Sequence, residues 1–135
     1  PVIASEQYPK GLGSTEDCIK ELIDPESFFE KVTFSCLGDS DLTKAIKDSK
    51  NKFVIVAGVE AHICVLQTVL DLLDEGLIPV VVEDCVSSRA LPDKETAMQR
   101  MRSIGVIITS CESLLFELCR SSTHSKFKEI SKLVK

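Results

Sequence analysis

Short runs of β-branched and apolar residues alternate along this chain with segments whose apolar residues recur at helical spacing. The runs predict strands, and the periodic segments predict amphipathic helices. The predicted strands are 2–4, 32–34, 53–56, 78–82 and 106–108. The predicted helices are 41–47, 64–73, 94–102, 113–118 and 127–133. Alternating strands and helices favour a parallel sheet covered on both faces, an α/β/α sandwich of Rossmann-like type.

The loops at the carboxyl ends of the strands are where an open parallel sheet binds its ligands. Four loops fall at such ends, namely 5–14, 59–64, 83–89 and 109–112. We therefore expect Cys64 to lie in a crevice formed with these loops.

Composition and charge narrow the class of protein. The chain has 135 residues, of which 44% are hydrophobic and 27% charged, which is typical of one globular domain. Its net charge of −5 argues against nucleic acid as a partner, and no apolar run is long enough to cross a membrane. We expect a cytoplasmic homo-oligomer that binds a small-molecule substrate, with no nucleic-acid and no membrane partner.

The cysteines and histidines indicate neither a disulfide framework nor a metal site. None of the six cysteines forms a CxxC pair, and Cys64, Cys111 and Cys119 lie in apolar, patterned segments. This pattern favours reduced, buried thiols over a disulfide framework. Because His62 and His124 lie far apart in the sequence, we expect no metal.

The stretch 56–65 predicts a strand, a turn marked by Gly58 and the start of a helix. Cys64 would lie in the first helical turn, where free N–H groups and the helix dipole favour a thiolate. Position alone does not separate a nucleophile from a buried core cysteine, since cysteine is often simply buried.

The segment GVEAHICV at 58–65 resembles the nucleophile segment of the isochorismatase-like cysteine hydrolases. The segments EQYPKGLG at 6–13, EKVTFS at 30–35, DCVSSR at 84–89 and FKEI at 127–130 follow the same order. Together they are similar to the eukaryotic isochorismatase-domain-containing proteins over essentially the whole chain. The resemblance implies a six-stranded parallel sheet of order 3-2-1-4-5-6.

The resemblance also implies an aspartate, lysine and cysteine site that needs no cofactor. Cys64 matches the nucleophile, which attacks a carbonyl or similar carbon, and Lys31 matches the lysine that favours the thiolate. A cis peptide between Val59 and Glu60 is implied as well. The N–H groups of Glu60 and Cys64 would then form an oxyanion hole.

Several residues keep two interpretations. Without the resemblance, Lys31 would be an ordinary solvated charge. Tyr8 is either the wall of a substrate lid at 5–14 or part of a plain surface loop. Asp84 and Arg89 are expected to bridge and cap the turn after their strand, and the role of His62 stays open.

The chain departs from the family pattern in two places. The family's aspartate ends its first strand, upstream of the segment that starts at Glu6, and here five residues precede Glu6. We therefore assign no residue to that role, and expect a single domain over 1–135 that lacks its N-terminal strand and helix. The sheet should then show a gap beside 53–56, or a strand borrowed from another chain. The loop 6–10 has no histidine, which argues against the metal site of the nicotinamidases.

The leading functional hypothesis is a cysteine hydrolase that acts on a small amide, carbamoyl or related substrate through a covalent thiol intermediate. The alternative is a non-catalytic interaction or scaffold protein that retains the fold, because fold does not fix function. Nucleic-acid processing is weakly supported, since the charge balance is acidic and no basic stripe is present.

Overall fold

The computed structural model describes residues 1–134. Five strands are present there, β1 (Ala4–Gln7), β2 (Phe28–Lys31), β3 (Phe53–Val59), β4 (Ile78–Ser87) and β5 (Ile107–Thr109). The α-helices are α1 (Pro9–Leu12), α2 (Asp17–Lys20), α3 (Ser40–Asp48), α4 (Leu66–Asp74), α5 (Leu91–Ser103), α6 (Cys111–Cys119) and α7 (Phe127–Leu133). Among these residues, no helix is both long and apolar enough to cross a membrane.

The strands are parallel and form two separate sheets. β1 pairs with β2, and β3, β4 and β5 form a second sheet in that order. Within residues 1–134, β3 pairs with no strand on the side away from β4, and β1 pairs with none on the side away from β2. Parallel sheets with intervening helices confirm the α/β class, while the six-stranded order stays a prediction.

The prediction of a strand at 32–34 is wrong, because β2 ends at Lys31, one residue before that segment begins. The carbonyl oxygens of Thr33 and Phe34 accept hydrogen bonds from the Lys31 ammonium group. The Thr33 hydroxyl donates to the Ser35 carbonyl. These bonds fold 32–35 into a turn, so its β-branched residues do not extend the sheet.

The predicted loop at 5–14 is also wrong in part, since most of β1 and all of α1 lie within it. β1 reads Ala-Ser-Glu-Gln and lacks the β-branched residues that usually mark a strand. Its pairing with the more apolar β2 decides its conformation, and that pairing is not visible in the local pattern.

The main core lies where β4 packs between α4, α5 and the turn that follows β3. Its fully buried side chains include Val69 of α4, Val81 of β4 and Met101 of α5. β3 borders this core with one face only. Its other side chains are solvent-exposed, with Phe53 at 59% and Ile55 at 51% of their full accessible area.

We expect Leu72→Ala to lower the free energy of unfolding by about 2–5 kcal/mol, because Leu72 of α4 is fully buried and truncation leaves a cavity. The matched control is Leu118→Ala on α6, where the side chain is exposed. That change should stay within about 0.5 kcal/mol. Urea unfolding followed by circular dichroism measures both. Equal losses would contradict this assignment of the core.

Candidate active site

A cavity of about 330 Å³ lies beside β1 and at the carboxyl end of β3. Its lining comes from residues 5–7 of β1, from the connection at 12–15, and from Lys31, Val59, Glu60 and Cys64. The cavity therefore spans the interval between the two sheets. It brings together the predicted nucleophile, the predicted lysine and both residues of the predicted cis peptide.

Cys64 lies in a π-helical turn, Ala61–Val65, that starts one residue after β3 and continues directly as α4. The Glu60 carbonyl accepts hydrogen bonds from the N–H groups of Ile63 and Val65, each at 3.2 Å. Single π turns of this kind are frequent at functional sites. The Cys64 thiol is free and half-buried, so it is accessible from the cavity that it lines.

The peptide bond between Val59 and Glu60 is cis. Within residues 1–134, the Glu60 N–H has no protein acceptor. A donor without a protein partner at a cavity wall is available to a ligand oxygen. This is the chemistry that an oxyanion hole requires.

Lys31 is the last residue of β2, and it is buried, with an exposed fraction of 4%. Its Nζ donates to Gln7 Oε1 at 2.6 Å, to the Thr33 carbonyl at 3.0 Å and to the Phe34 carbonyl at 2.9 Å. An ammonium group has three donors, so this set engages all of them. Every acceptor is neutral, and in the described part of the chain no carboxylate forms an ion pair with Lys31.

Gln7 is a site residue that the sequence analysis missed. It pairs with Lys31 in the register of β1 and β2, and its Nε2 donates to the Val32 carbonyl at 2.9 Å. This second bond fixes the amide so that its oxygen faces Lys31. The sequence does place Gln7 beside Glu6, in the segment 6–13 that resembles the family. Its contact with Lys31, however, depends on the pairing of β1 with β2, which the sequence does not reveal.

Glu60 and His62 connect the nucleophile turn to the segment after β4. The Arg89 N–H donates to Glu60 Oε2 at 3.0 Å, and His62 Nδ1 lies 2.9 Å from Ser88 Oγ. His62 Nδ1 also lies 3.7 Å from Glu60 Oε2. His62 therefore helps to hold the turn, and Arg89 acts here through its backbone.

Tyr8 is not part of the cavity wall formed by residues 1–134, which favours the second of its two predicted interpretations, a residue of the surface, over the wall of a substrate lid. Its side chain is exposed and packs over Gly11, where a Cβ atom would collide with the aromatic ring. The loop contributes residues 12–15 to the wall instead. The reason is local, because the start of α1 turns the ring onto its own helix.

The cysteines are free, but two of them are less buried than predicted. Cys119 is buried, whereas Cys64 and Cys111 are half-buried. Both of these lie in the first turn after a strand, at the rim of the sheet and not in its core. Within residues 1–134, no group of three or more His, Cys, Asp or Glu side chains is arranged to hold a metal ion.

Glu6 anchors the 12–15 wall to β1. The Thr15 N–H donates to Glu6 Oε1 at 2.7 Å, and this bond holds the pKa of Glu6 below its usual value of 4.5. A lowered pKa means that the charged form stabilises the fold. This contribution is fully present above about pH 4.5 and is lost as the pH falls through the lowered pKa.

We expect the amide proton of Thr15 to shift with pH in NMR spectra, with a midpoint below 4.5, because it is bonded to the Glu6 carboxylate. In Glu6→Gln, that transition should disappear. Glu16→Gln is the control and should leave it unchanged. A midpoint at or above 4.5 would contradict the hydrogen bond.

Comparison with known proteins places this site in a family. The chain is 40% identical over 139 residues to isochorismatase family protein 1B of Dictyostelium discoideum, covering all of this chain and 68% of that protein. It is 40% identical over 136 residues to isochorismatase domain-containing protein 1 of Danio rerio, covering all of this chain and 47% of that protein. The chain thus spans roughly half to two thirds of the length of these relatives.

Solved structures agree with the sequence relatives. The structure of MAR1 ribonuclease from Caenorhabditis elegans is 43% identical with a TM-score of 0.91, covering 99% of this chain and 69% of that chain. YcaC from Pseudomonas aeruginosa, solved with hexane-2,5-diol and covalent acrylamide, is 25% identical with a TM-score of 0.90. The match covers 96% of this chain and 66% of that chain. The isochorismatase domain family matches residues 1–113. On these grounds, the chain belongs to the isochorismatase family of the isochorismatase-like hydrolase superfamily.

Proposed function

We propose that this protein is a cysteine-dependent hydrolase that acts on a small amide, carbamoyl or related substrate. One observation carries the proposal. Cys64, the buried Lys31 and Glu60 line a single cavity at the end of β3. A nucleophile, a fixed cation and a free backbone donor are the groups that covalent acyl transfer needs.

The proposed steps use these groups in turn. The Cys64 thiolate attacks the substrate carbon, and the N–H groups of Glu60 and Cys64 stabilise the oxyanion. The leaving group departs with the proton that the thiol gave up. Water then adds to the acyl carbon, the carbon–sulfur bond breaks, and a proton from the water returns to the sulfur. Lys31 acts as a fixed charge that favours the thiolate, because its three donors are already engaged by protein oxygens.

The proton acceptor of this mechanism is proposed to come from outside residues 1–134. Lys31 is buried among neutral acceptors, and a buried charge is normally paired. The unpaired edges of β1 and β3 border the same cavity. A strand inserted between them would satisfy both edges, and an aspartate at its end would reach Lys31. A following helix would cover the exposed face of β3.

A covalent adduct in one similar structure supports the proposal of a reactive thiol. The YcaC structure from Pseudomonas aeruginosa holds covalent acrylamide, and acrylamide is an electrophile that reacts with thiolates.

We also propose that the chain forms a homo-oligomer. The exposed Val32 and Phe34 beside the site are apolar surface that a second copy would cover.

RNA cleavage is a second candidate function, since the Caenorhabditis elegans relative at 43% identity is named a ribonuclease. The net charge of −5 disfavours a polyanionic substrate.

A scaffold role is the third candidate. It requires no reactive thiol, so the chemistry of Cys64 separates it from the cysteine hydrolase.

We expect iodoacetamide at neutral pH to label Cys64 before the other five cysteines. Lys31→Met should slow that labelling by about tenfold, corresponding to ~1.4 kcal/mol, because it removes the fixed cation and keeps the side-chain length. Lys10→Met, on the exposed face of α1, is the control and should not change the rate. Peptide mass spectrometry at timed intervals measures each thiol. Thermal melts establish that both variants fold.

Hydrolysis is tested on a panel of small amides and carbamoyl compounds, with RNA in parallel. We expect turnover of a small substrate that is lost in Cys64→Ala and retained in Cys18→Ala. Cleavage of RNA that survives Cys64→Ala would favour the ribonuclease instead. Uniformly slow labelling of all thiols, together with no turnover, would favour the scaffold.

A further inference from the structure

Outside the active site, two thiols lie together at the carboxyl ends of β4 and β5. Val82 of β4 pairs with Thr109 of β5. Cys85 follows Val82 by three residues, and Cys111 follows Thr109 by two and begins α6. The Cys111 N–H donates to Asp84 Oδ1 at 2.8 Å, which holds the first turn of α6 beside the residue that precedes Cys85.

The Cys111 thiol is close enough to Cys85 to affect the ionisation of that thiol. Desolvation raises the pKa of the Cys85 thiol, and the neighbouring Cys111 thiol and Asp84 carboxylate raise it further. Cys85 is nevertheless exposed, and Cys111 is half-buried. A disulfide requires Cα atoms about 4.4–6.8 Å apart. The bond from the Cys111 N–H to Asp84 keeps the start of α6 next to this part of β4, which is the proximity that such a bond needs.

We propose that Cys85 and Cys111 form a redox-active dithiol that exchanges reversibly with low-molecular-weight disulfides such as glutathione disulfide. Nothing in the hydrolase mechanism uses either thiol. The dithiol is thus a modification site separate from Cys64. Its thiol–disulfide exchange does not require the protein to hydrolyse a substrate.

The exchange proceeds in two steps. The Cys111 thiolate attacks one sulfur of glutathione disulfide, forms a mixed disulfide and releases one glutathione. Cys85 then loses its proton and attacks the Cys111 sulfur, which closes the intramolecular disulfide and releases the second glutathione. Two protein thiols are oxidised, one glutathione disulfide is reduced, and the two protons end on the two glutathione thiols.

The consequence is local to the segment after β4. Residues 84–89 contact the nucleophile turn through the bond from the Arg89 N–H to Glu60. A disulfide from Cys85 to Cys111 would fasten the start of that segment to α6.

The full chain is incubated with glutathione disulfide, and the remaining thiols are blocked with N-ethylmaleimide. The protein is then digested with a protease that cleaves on the carboxyl side of glutamate residues. This cleavage separates all six cysteines, with Cys85 on peptide 84–95 and Cys111 on peptide 96–112. We expect these two peptides to be cross-linked in the folded chain, and reduced glutathione should reverse the bond. A chain unfolded in urea gives the level of random pairing. A native cross-link no more abundant than that level would overturn the proposal.

Single variants test the order of the steps. Cys85→Ser should accumulate one glutathione on Cys111, because the resolving thiol is gone. Cys111→Ser should lose the cross-link, and Cys18→Ser should retain it as the control. Circular dichroism establishes that each variant is folded. Cross-linking of Cys85 to a cysteine other than Cys111, or unchanged oxidation in Cys111→Ser, would also overturn the proposal.

Discussion

The buried ammonium of Lys31 is the constraint on which the arrangement of this site depends. Removing a cation from water is costly unless polar groups replace the lost hydration. Here the replacements come from β1 through Gln7 and from the turn that ends β2 through Thr33 and Phe34. The same three bonds therefore solvate the charge, join the first sheet to its turn and stop β2 at Lys31.

The site is assembled from two sheets that do not pair with each other. Lys31 comes from the first sheet and Cys64 follows the last residues of β3 in the second. One bond that spans them runs from the Cys36 N–H to Thr68 Oγ1 at 3.0 Å, and Thr68 is a buried residue of α4. Because α4 continues from the nucleophile turn, this bond relates the position of Cys64 to the segment after β2. Side-chain hydrogen bonds here perform part of the alignment that a continuous sheet would provide.

The sequence predicted most of the second sheet, because its strands are apolar runs and α4 has a buried periodic face. It failed in the first sheet for an identifiable reason. β1 is polar, and the β-branched residues after Lys31 form a turn whose carbonyls are used by that side chain. Strand pairing and a buried charge, not local propensity, decide the conformation there.

The site was predicted unevenly for similar reasons. Position alone made Cys64 a candidate, because a strand, a glycine turn and a helix follow one another in the sequence. Lys31 was assigned by resemblance, since a lysine in a polar context normally faces solvent. Gln7 and Glu6 were missed, because their importance comes from partners 24 and nine residues away. The sequence left two interpretations of Tyr8 open, and the packing of its ring over Gly11 depends on the conformation at the start of α1.

The π-helical turn at Ala61–Val65 limits how this segment can change in evolution. A π turn already holds one residue more than an α turn, and a further inserted residue would rotate the following helix by roughly 100° about its axis. Val69 and Leu72 of α4, both fully buried, would then leave the core. Related chains should therefore tolerate substitutions in this stretch far better than insertions or deletions. The spacing between the end of β3 and the first buried residue of α4 is fixed by packing, and the position of the cysteine is fixed with it.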